Sequence, residues 1–267
     1  TERFYSFLTA CINGWLIHVL WKEFFRESEL KKLSWIPFFL WITIPVCFWA
    51  FQNNMQENTM SVFTLSASLF ILKGIYQNKT FLFLIGGIFV FLASLSKGFP
   101  GLFPIAIAGF HWLVYRERSF VKTFLLTLLL TMVPMMLYFL LVLHPDIYRS
   151  LSVYLFDRVV NSIQHVSTEP SRFYLIKKLL MEFIPAFVII AIIYLILWIK
   201  KFDFRKIQAQ QKNTIFFFLI ALSASLPLMI TKEQRGFYLV TSFPFYAFAF
   251  SCCIAPAISV WTSKINF

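Results

Sequence analysis

The chain has 267 residues, of which 59% are hydrophobic, 20% aromatic and only 13% charged, and it carries a net charge of +12. A mean hydropathy of +0.74 excludes an ordinary soluble domain. The positive balance does not point to nucleic acid, because the 24 lysines and arginines fall in short clusters between apolar runs, where anionic lipid and membrane orientation account for them.

A hydrocarbon core about 30 Å thick requires roughly 20 apolar residues per helix. Nine segments approach or meet that length, at approximately 4–21, 34–51, 58–76, 80–95, 99–115, 120–143, 183–199, 213–230 and 236–256. Their apolar runs are continuous instead of alternating at every second residue, which excludes a β-barrel. The expected fold is all-α: a polytopic transmembrane bundle of about nine helices in one domain, 1–267, with an external amphipathic loop or lid at 144–182. Segments 80–95 and 99–115 are short for full spans and are joined only by the stretch SLSKGFPGLF at 94–103. Thr1 is not an initiator and no basic region with a cleavage site precedes the first apolar run, so the chain is expected to be a piece of a longer protein that has lost its beginning. Cys11, Cys47, Cys252 and Cys253 sit inside apolar runs without metal-ligand spacing, which predicts small core side chains.

Positive charge favours the inner side of short loops. An outside N-terminus puts fifteen of the 24 lysines and arginines on inner connections and nine on outer ones. The outer face then presents four polar features: the turn FQNNMQENTM at 51–60, the SKGFPG junction, the long segment from His144 to about Glu182, and the turn TKEQRGFY at 231–238. The sequon at Asn78 falls on the inner side and reads as chance.

Within these features, Glu57 is the only acid between Glu29 and Glu117 and lies at a helix entrance, where the helix dipole favours a carboxylate. It fits a capping acid in a solvated turn; equally, Asn53, Asn54, Gln56 and Asn58 crowd round it with groups able to hold a sugar. Lys97 is the sole charge between Lys79 and Arg116. It either snorkels to lipid phosphate or neutralises an anionic substrate, and Gly98, Pro100 and Gly101 supply a helix break whose free N–H groups suit phosphate. The segment 147–163 has the pattern of an amphipathic surface helix, and 172–181 a second; Arg158, His165 or Arg172 either faces lipid headgroups or turns inward to bind an anion. Lys232, Glu233 and Arg235 make an ordinary charged turn on their own. Together, one isolated carboxylate and several cations on a single membrane face suit a lipid-linked phosphate donor with an acid as base or electrostatic partner.

The order of TERFYSFLTACINGWLIHVLWKEFF, QNNMQENTMSVFTLSASLFILKG, FLASLSKGFPGLFPIA, SRFYLIKKLLMEFIP and KEQRGFYLVTSFPFYAFAF resembles the C-type superfamily of bacterial membrane glycosyltransferases. The nearest resemblance is to the lipid A aminoarabinose transferases and the protein O-mannosyltransferases. It covers nearly the whole chain, and its more specific parts are the LxKGxPG junction and the closing RxxYLxxxxPF pattern. The resemblance implies transfer of a sugar from a polyprenyl-phosphate carrier to a lipid or protein acceptor, with inversion, at the extracytoplasmic face of the bacterial inner membrane. Family members hold the principal catalytic acid in a first external loop, after a first helix; that loop precedes this chain, so the base is expected to lie outside it. Glu57 matches the family's second acidic position, Lys97 the junction lysine, and Arg235 with Tyr238 the basic and aromatic pair; Arg158 is a looser carry-over as a ligand of the carrier phosphate. His165, Arg172 and Lys232 complete the expected set as accessory cations. A divalent ion beside Glu57 has no His or Cys cluster to support it. The alternative function is a lipid or sugar-phosphate transporter, which usually places charges at the midplane on broken helices, whereas here each charge lies near a predicted helix end.

Overall fold

The computed structural model describes residues 2–154 and 173–264, and among these every regular element is a helix. In chain order the main ones are α1 (Glu2–Phe24), α2 (Trp35–Ile42), α3 (Pro45–Gln52), α4 (Gln56–Gln77), α5 (Phe81–Lys97), a 3-10 helix (Phe99–Ala106) continuing into α6 (Ile107–Tyr115), α7 (Phe120–Val142), α8 (Pro145–Val153), α9 (Tyr174–Glu182), α10 (Ile184–Ile199), α11 (Gln211–Ser225), a 3-10 turn (Gly236–Thr241) and α12 (Phe243–Lys264). All nine predicted segments are therefore helical, and the chain is a multi-pass membrane protein. Among the described residues, five stretches are single helices long and apolar enough to cross a membrane, at Glu2–Phe24, Gln56–Gln77, Phe120–Val142, Gln211–Met229 and Phe243–Thr262. Two more are bent pairs, which brings the number to as many as seven among the described residues, and two further apolar segments, Phe81–Lys97 and Phe99–Tyr115, are shorter.

The bends have local causes. Segment 34–51, expected as one span, breaks between α2 and α3 at an angle of 75°. Pro45 keeps the preceding Ile44 out of helical geometry, at φ −78° and ψ 116°, and its own ring fits the first turn of α3. Thr43 closes α2 by donating its hydroxyl to Leu40 O at 2.8 Å. The second bend, 46° between α9 and α10, also falls at a proline, Pro185, in the first turn of the second helix.

Burial separates central helices from peripheral ones. Of the apolar window in each span, 67% is buried in α4 and 72% in α12, against 17% in α7. The buried set on α7 is the single stripe Thr123, Leu126, Leu130 and Pro134, whose spacing of three and four residues is one helical face. Phe124, Met135, Phe139 and Leu140 face outward, toward lipid. On α4 the buried Ser61, Thr64, Ser66 and Ser68 are small, which lets neighbouring backbones approach. The hydroxyls of Thr64, Ser66 and Ser68 donate to backbone oxygens three or four residues earlier, which satisfies these three groups within the helix. The aromatic excess fills the interface of α1, α11 and α12: Trp21 stacks on Phe248 at 6.1 Å, Phe248 on Phe217 at 4.9 Å, and Phe24 on Phe216 at 5.7 Å. Cys47 on α3 and Cys252 on α12 are buried as expected and Cys253 is partly buried, but Cys11 lies exposed on the outer face of α1, an apolar residue for lipid instead of core.

Candidate functional site

The SLSKGFPGLF stretch is a tight reversal. Gly98 adopts φ 80° and ψ −148°, a conformation that side chains rarely take, and its N–H closes α5 on Ser94 O at 2.6 Å. Pro100 and Pro104 supply no N–H, and Pro104 in an α-helix would clash with the carbonyl four residues back, so the next eight residues wind as a 3-10 helix. Gly101 passes so close to α5 that an added Cβ would lie 2.6 Å from Ala93 O. The reversal thus presents Lys97 at the end of α5.

Glu57 sits in the first turn of α4, held from α1 and α3. Tyr5 and Thr59 hydroxyls share a bond of 2.7 Å, Ser6 donates to Asn54 Oδ1 at 3.0 Å, and the buried Asn13 donates to Asn58 O at 3.1 Å. Asn58 in turn donates to Ala50 O in α3 at 2.8 Å. This polar seam sinks the turn, leaving the Glu57 side chain 1% exposed. Such burial of a carboxylate needs a partner, and the partner is Lys97, whose ammonium pairs with Glu57 Oε1. Glu57 Oε2 is buried and makes no hydrogen bond among the described residues.

Lys97 also lies over two aromatic rings, Tyr238 at 4.5 Å and Phe237 at 5.2 Å. The Tyr238 hydroxyl donates to Glu233 Oε1 at 3.1 Å, and Arg235 Nε approaches the same oxygen at 3.6 Å. Burial, then the charge and hydrogen bond of Glu233, push the Tyr238 phenol up to about 12 against the opposing pull of Arg235, so it stays a protonated donor at ordinary pH. The result is one chain of alternating groups from Glu57 through Lys97, Tyr238 and Glu233 to Arg235.

These residues border a cavity of about 710 Å³. Gln56, Glu57, Lys97, Thr231, Glu233 and Tyr238 form its polar lining, and Leu102, Phe103, Ile105, Ala224 and Leu228 its apolar walls. Tyr154, just beyond α8, closes one side with its hydroxyl over Gly98. Apolar walls with a few converging polar groups are the usual composition of a small-molecule site.

Of the residues expected from sequence, Glu57, Lys97 and Tyr238 are brought together. Arg235 is half-exposed at the rim and reaches the group through Glu233, and Lys232 lies on the same loop. Arg158, His165 and Arg172, with positions 155–172 of the expected lid at 144–182, lie outside the described residues. Lys97 is engaged by a carboxylate instead of standing as an unpaired cation. Two acids take parts that the sequence did not suggest: Glu233, read only as a member of a charged turn, lines the cavity, and Glu182 is 5% exposed beneath α3. Glu182 had one visible signal, an acid between Met181 and Phe183 at the mouth of an apolar run. Among the described residues no three His, Cys, Asp or Glu side chains converge as metal ligands. At Glu57 the paired ammonium would repel a divalent ion and already occupies one carboxylate oxygen.

No family model and no curated protein matches the chain. A solved structure does: the crystal structure of ArnT from Cupriavidus metallidurans in the apo state is similar over 95% of this chain, with a TM-score of 0.65 and 15% sequence identity. The chain spans 44% of that protein's length. At this identity the likeness is one of fold: the chain shares the helical membrane fold of that structure.

Proposed function

We propose that this chain forms the donor-binding part of an integral membrane glycosyltransferase that moves a sugar from a polyprenyl-phosphate carrier to a lipid or protein acceptor. The observation that carries the reading is the cavity itself, in which a buried carboxylate–ammonium pair and a tyrosine stand at the head of an apolar pocket. The fold shared with ArnT supports it.

The chemistry follows from the groups present. Transfer breaks the bond between the sugar's anomeric carbon and a phosphate oxygen, and forms one to an acceptor hydroxyl oxygen, with inversion. The departing phosphate gains negative charge, which Lys97 is placed to stabilise. A phosphate that draws Lys97 to itself leaves Glu57 exchanging its partner, so the carboxylate becomes available as a hydrogen-bond acceptor for the sugar or the incoming hydroxyl. Tyr238 keeps the ammonium close to the pocket by its ring while its hydroxyl stays on Glu233. A further acid, apart from Glu57, takes the proton of the incoming hydroxyl as principal base. The apolar walls suit the first isoprene units, and the site faces the extracytoplasmic side of the bacterial inner membrane.

The test uses full-length protein in nanodiscs with a panel of radiolabelled polyprenyl-phosphate sugars, following label into lipid and protein fractions. Lys97→Ala is expected to reduce transfer by about two orders of magnitude, as loss of one charge-stabilising donor does. Label that crosses the bilayer still joined to its carrier, with no bond broken, would make the protein a transporter.

A further inference from the structure

Helix α3 is tied at three points to three different elements. At its start, the Val46 N–H donates to Glu182 Oε2 at 2.8 Å, while Glu182 Oε1 pairs with Lys178 Nζ at 2.9 Å. At its middle, Trp49 stacks on Phe237 with ring centres 5.6 Å apart and planes at 24°. At its end, Ala50 O accepts from Asn58 Nδ2 at 2.8 Å. These ties lead to α9, to the turn that carries Tyr238, and to the first turn of α4 that carries Glu57. Lys178 closes the circuit, because its aliphatic carbons lie over Gly236 so closely that a Cβ there would come within 2.8 Å of Cε.

Glu182 does not line the cavity. Its carboxylate is nonetheless buried in an apolar setting, a costly placement that its two bonds compensate. The bend before Pro45 explains the need: a helix that restarts after a break exposes N–H groups without intrahelical partners, and the one at Val46 is satisfied by this side chain.

We propose that Glu182 is a positioning residue for the site. By capping α3 it fixes the spacing between Glu57 on one side and Phe237 with Tyr238 on the other, and so sets the cage around Lys97 that would receive the donor phosphate. The proposal rests on the function given above.

The experiment uses full-length protein in nanodiscs with two readouts. The first is alkylation of Cys47 by N-ethylmaleimide, located by peptide mass spectrometry. Cys47 follows Val46 directly and is 2% exposed; Cys252, at 0%, is the internal reference. The second is affinity for polyprenyl monophosphate. Glu182→Ala is expected to raise Cys47 alkylation about tenfold with Cys252 unchanged, and to weaken lipid-phosphate binding about tenfold. Glu182→Gln, which keeps an oxygen for Val46 N–H, is expected to restore most of the Cys47 protection. Unchanged Cys47 reactivity in Glu182→Ala, or a Gln variant as reactive as the Ala variant, overturns the capping role. Equal rises at Cys47 and Cys252 overturn it too, since the fold would be loosening as a whole. A reactive Cys47 with undiminished affinity overturns the positioning role. Wild-type protein with no affinity for the lipid phosphate would sink the proposed function while the Cys47 response still reports the cap.

Discussion

The two ends of the bundle use the same cations in opposite ways. At the end away from the cavity, cations meet carbonyl groups at the C-terminal ends of helices: Arg118 binds Ile75 O, Lys122 reaches Asn78 Oδ1 at 2.8 Å, and Arg26 reaches Tyr76 O at 3.4 Å. Arg118 and Arg26 satisfy late carbonyls of α4, Lys122 holds the side chain of its C-cap, and all three cations complement the helix dipole at part-buried or exposed positions. At the cavity end, Lys97 and Lys178 instead meet carboxylates that are 1% and 5% exposed. A cation on a carbonyl can be lost cheaply, because water replaces it. A cation on a buried carboxylate cannot, because its removal strands a charge.

The largest contrast is expected at Glu57 and Lys97. Lys97→Met strands the carboxylate and should destabilise the fold by about 3–5 kcal/mol. Adding Glu57→Gln should recover much of that loss, and comparing both variants in thermal melts of detergent-solubilised protein checks it. Transfer activity should not recover in the double variant; recovery would mean the pair serves only the fold. Next comes Gly101, where Ala must push α5 away from the 3-10 helix. An overpacking cost of about 1–3 kcal/mol is expected in the same melts.

Tyr238→Phe should be milder, at about 1 kcal/mol for a half-buried hydrogen bond to a carboxylate. Because burial and Glu233 raise this phenol from 10.0 to about 12, its contribution is complete below the ordinary tyrosine value and is lost as pH rises through 12. The two stabilities should therefore converge only in strong alkali, which melts at stepped pH would follow. Smallest of all, Lys122→Ala at the opposite end should change stability by no more than about 0.5 kcal/mol and leave transfer untouched. A large loss there would erase the contrast between the ends.

How much of this was legible in the sequence follows the range of the signal. Apolar runs and their polar turns are local, so all nine helical segments and the meeting of Glu57, Lys97 and Tyr238 could be read from hydropathy, charge position and motif. The break at Thr43 and Ile44 was not read, although Pro45 marked it, because the run 34–51 is long enough for one straight span. Glu182 was missed for a different reason. Its partner, the N–H of Val46, lies 136 residues away, and nothing local distinguishes a capping carboxylate from the polar end of a surface helix. The pairing that masks Lys97 is likewise a product of tertiary packing, as the two residues are 40 positions apart.

The 3-10 winding after Lys97 bears on the thickness of the bilayer this protein can occupy. With a rise of about 2.0 Å per residue instead of 1.5 Å, the eight residues from Phe99 to Ala106 gain about 4 Å over an α-helix of equal count. The segment Phe99–Tyr115 then reaches close to 30 Å, a full hydrocarbon core, without a single added residue. Its neighbour Phe81–Lys97, wound as an α-helix throughout, reaches only about 26 Å and must meet the same core by thinning it or by sending Lys97 up to the headgroups. Adjacent strokes of one hairpin thus differ in hydrophobic length, and the shorter one ends at the lysine on which the cavity depends.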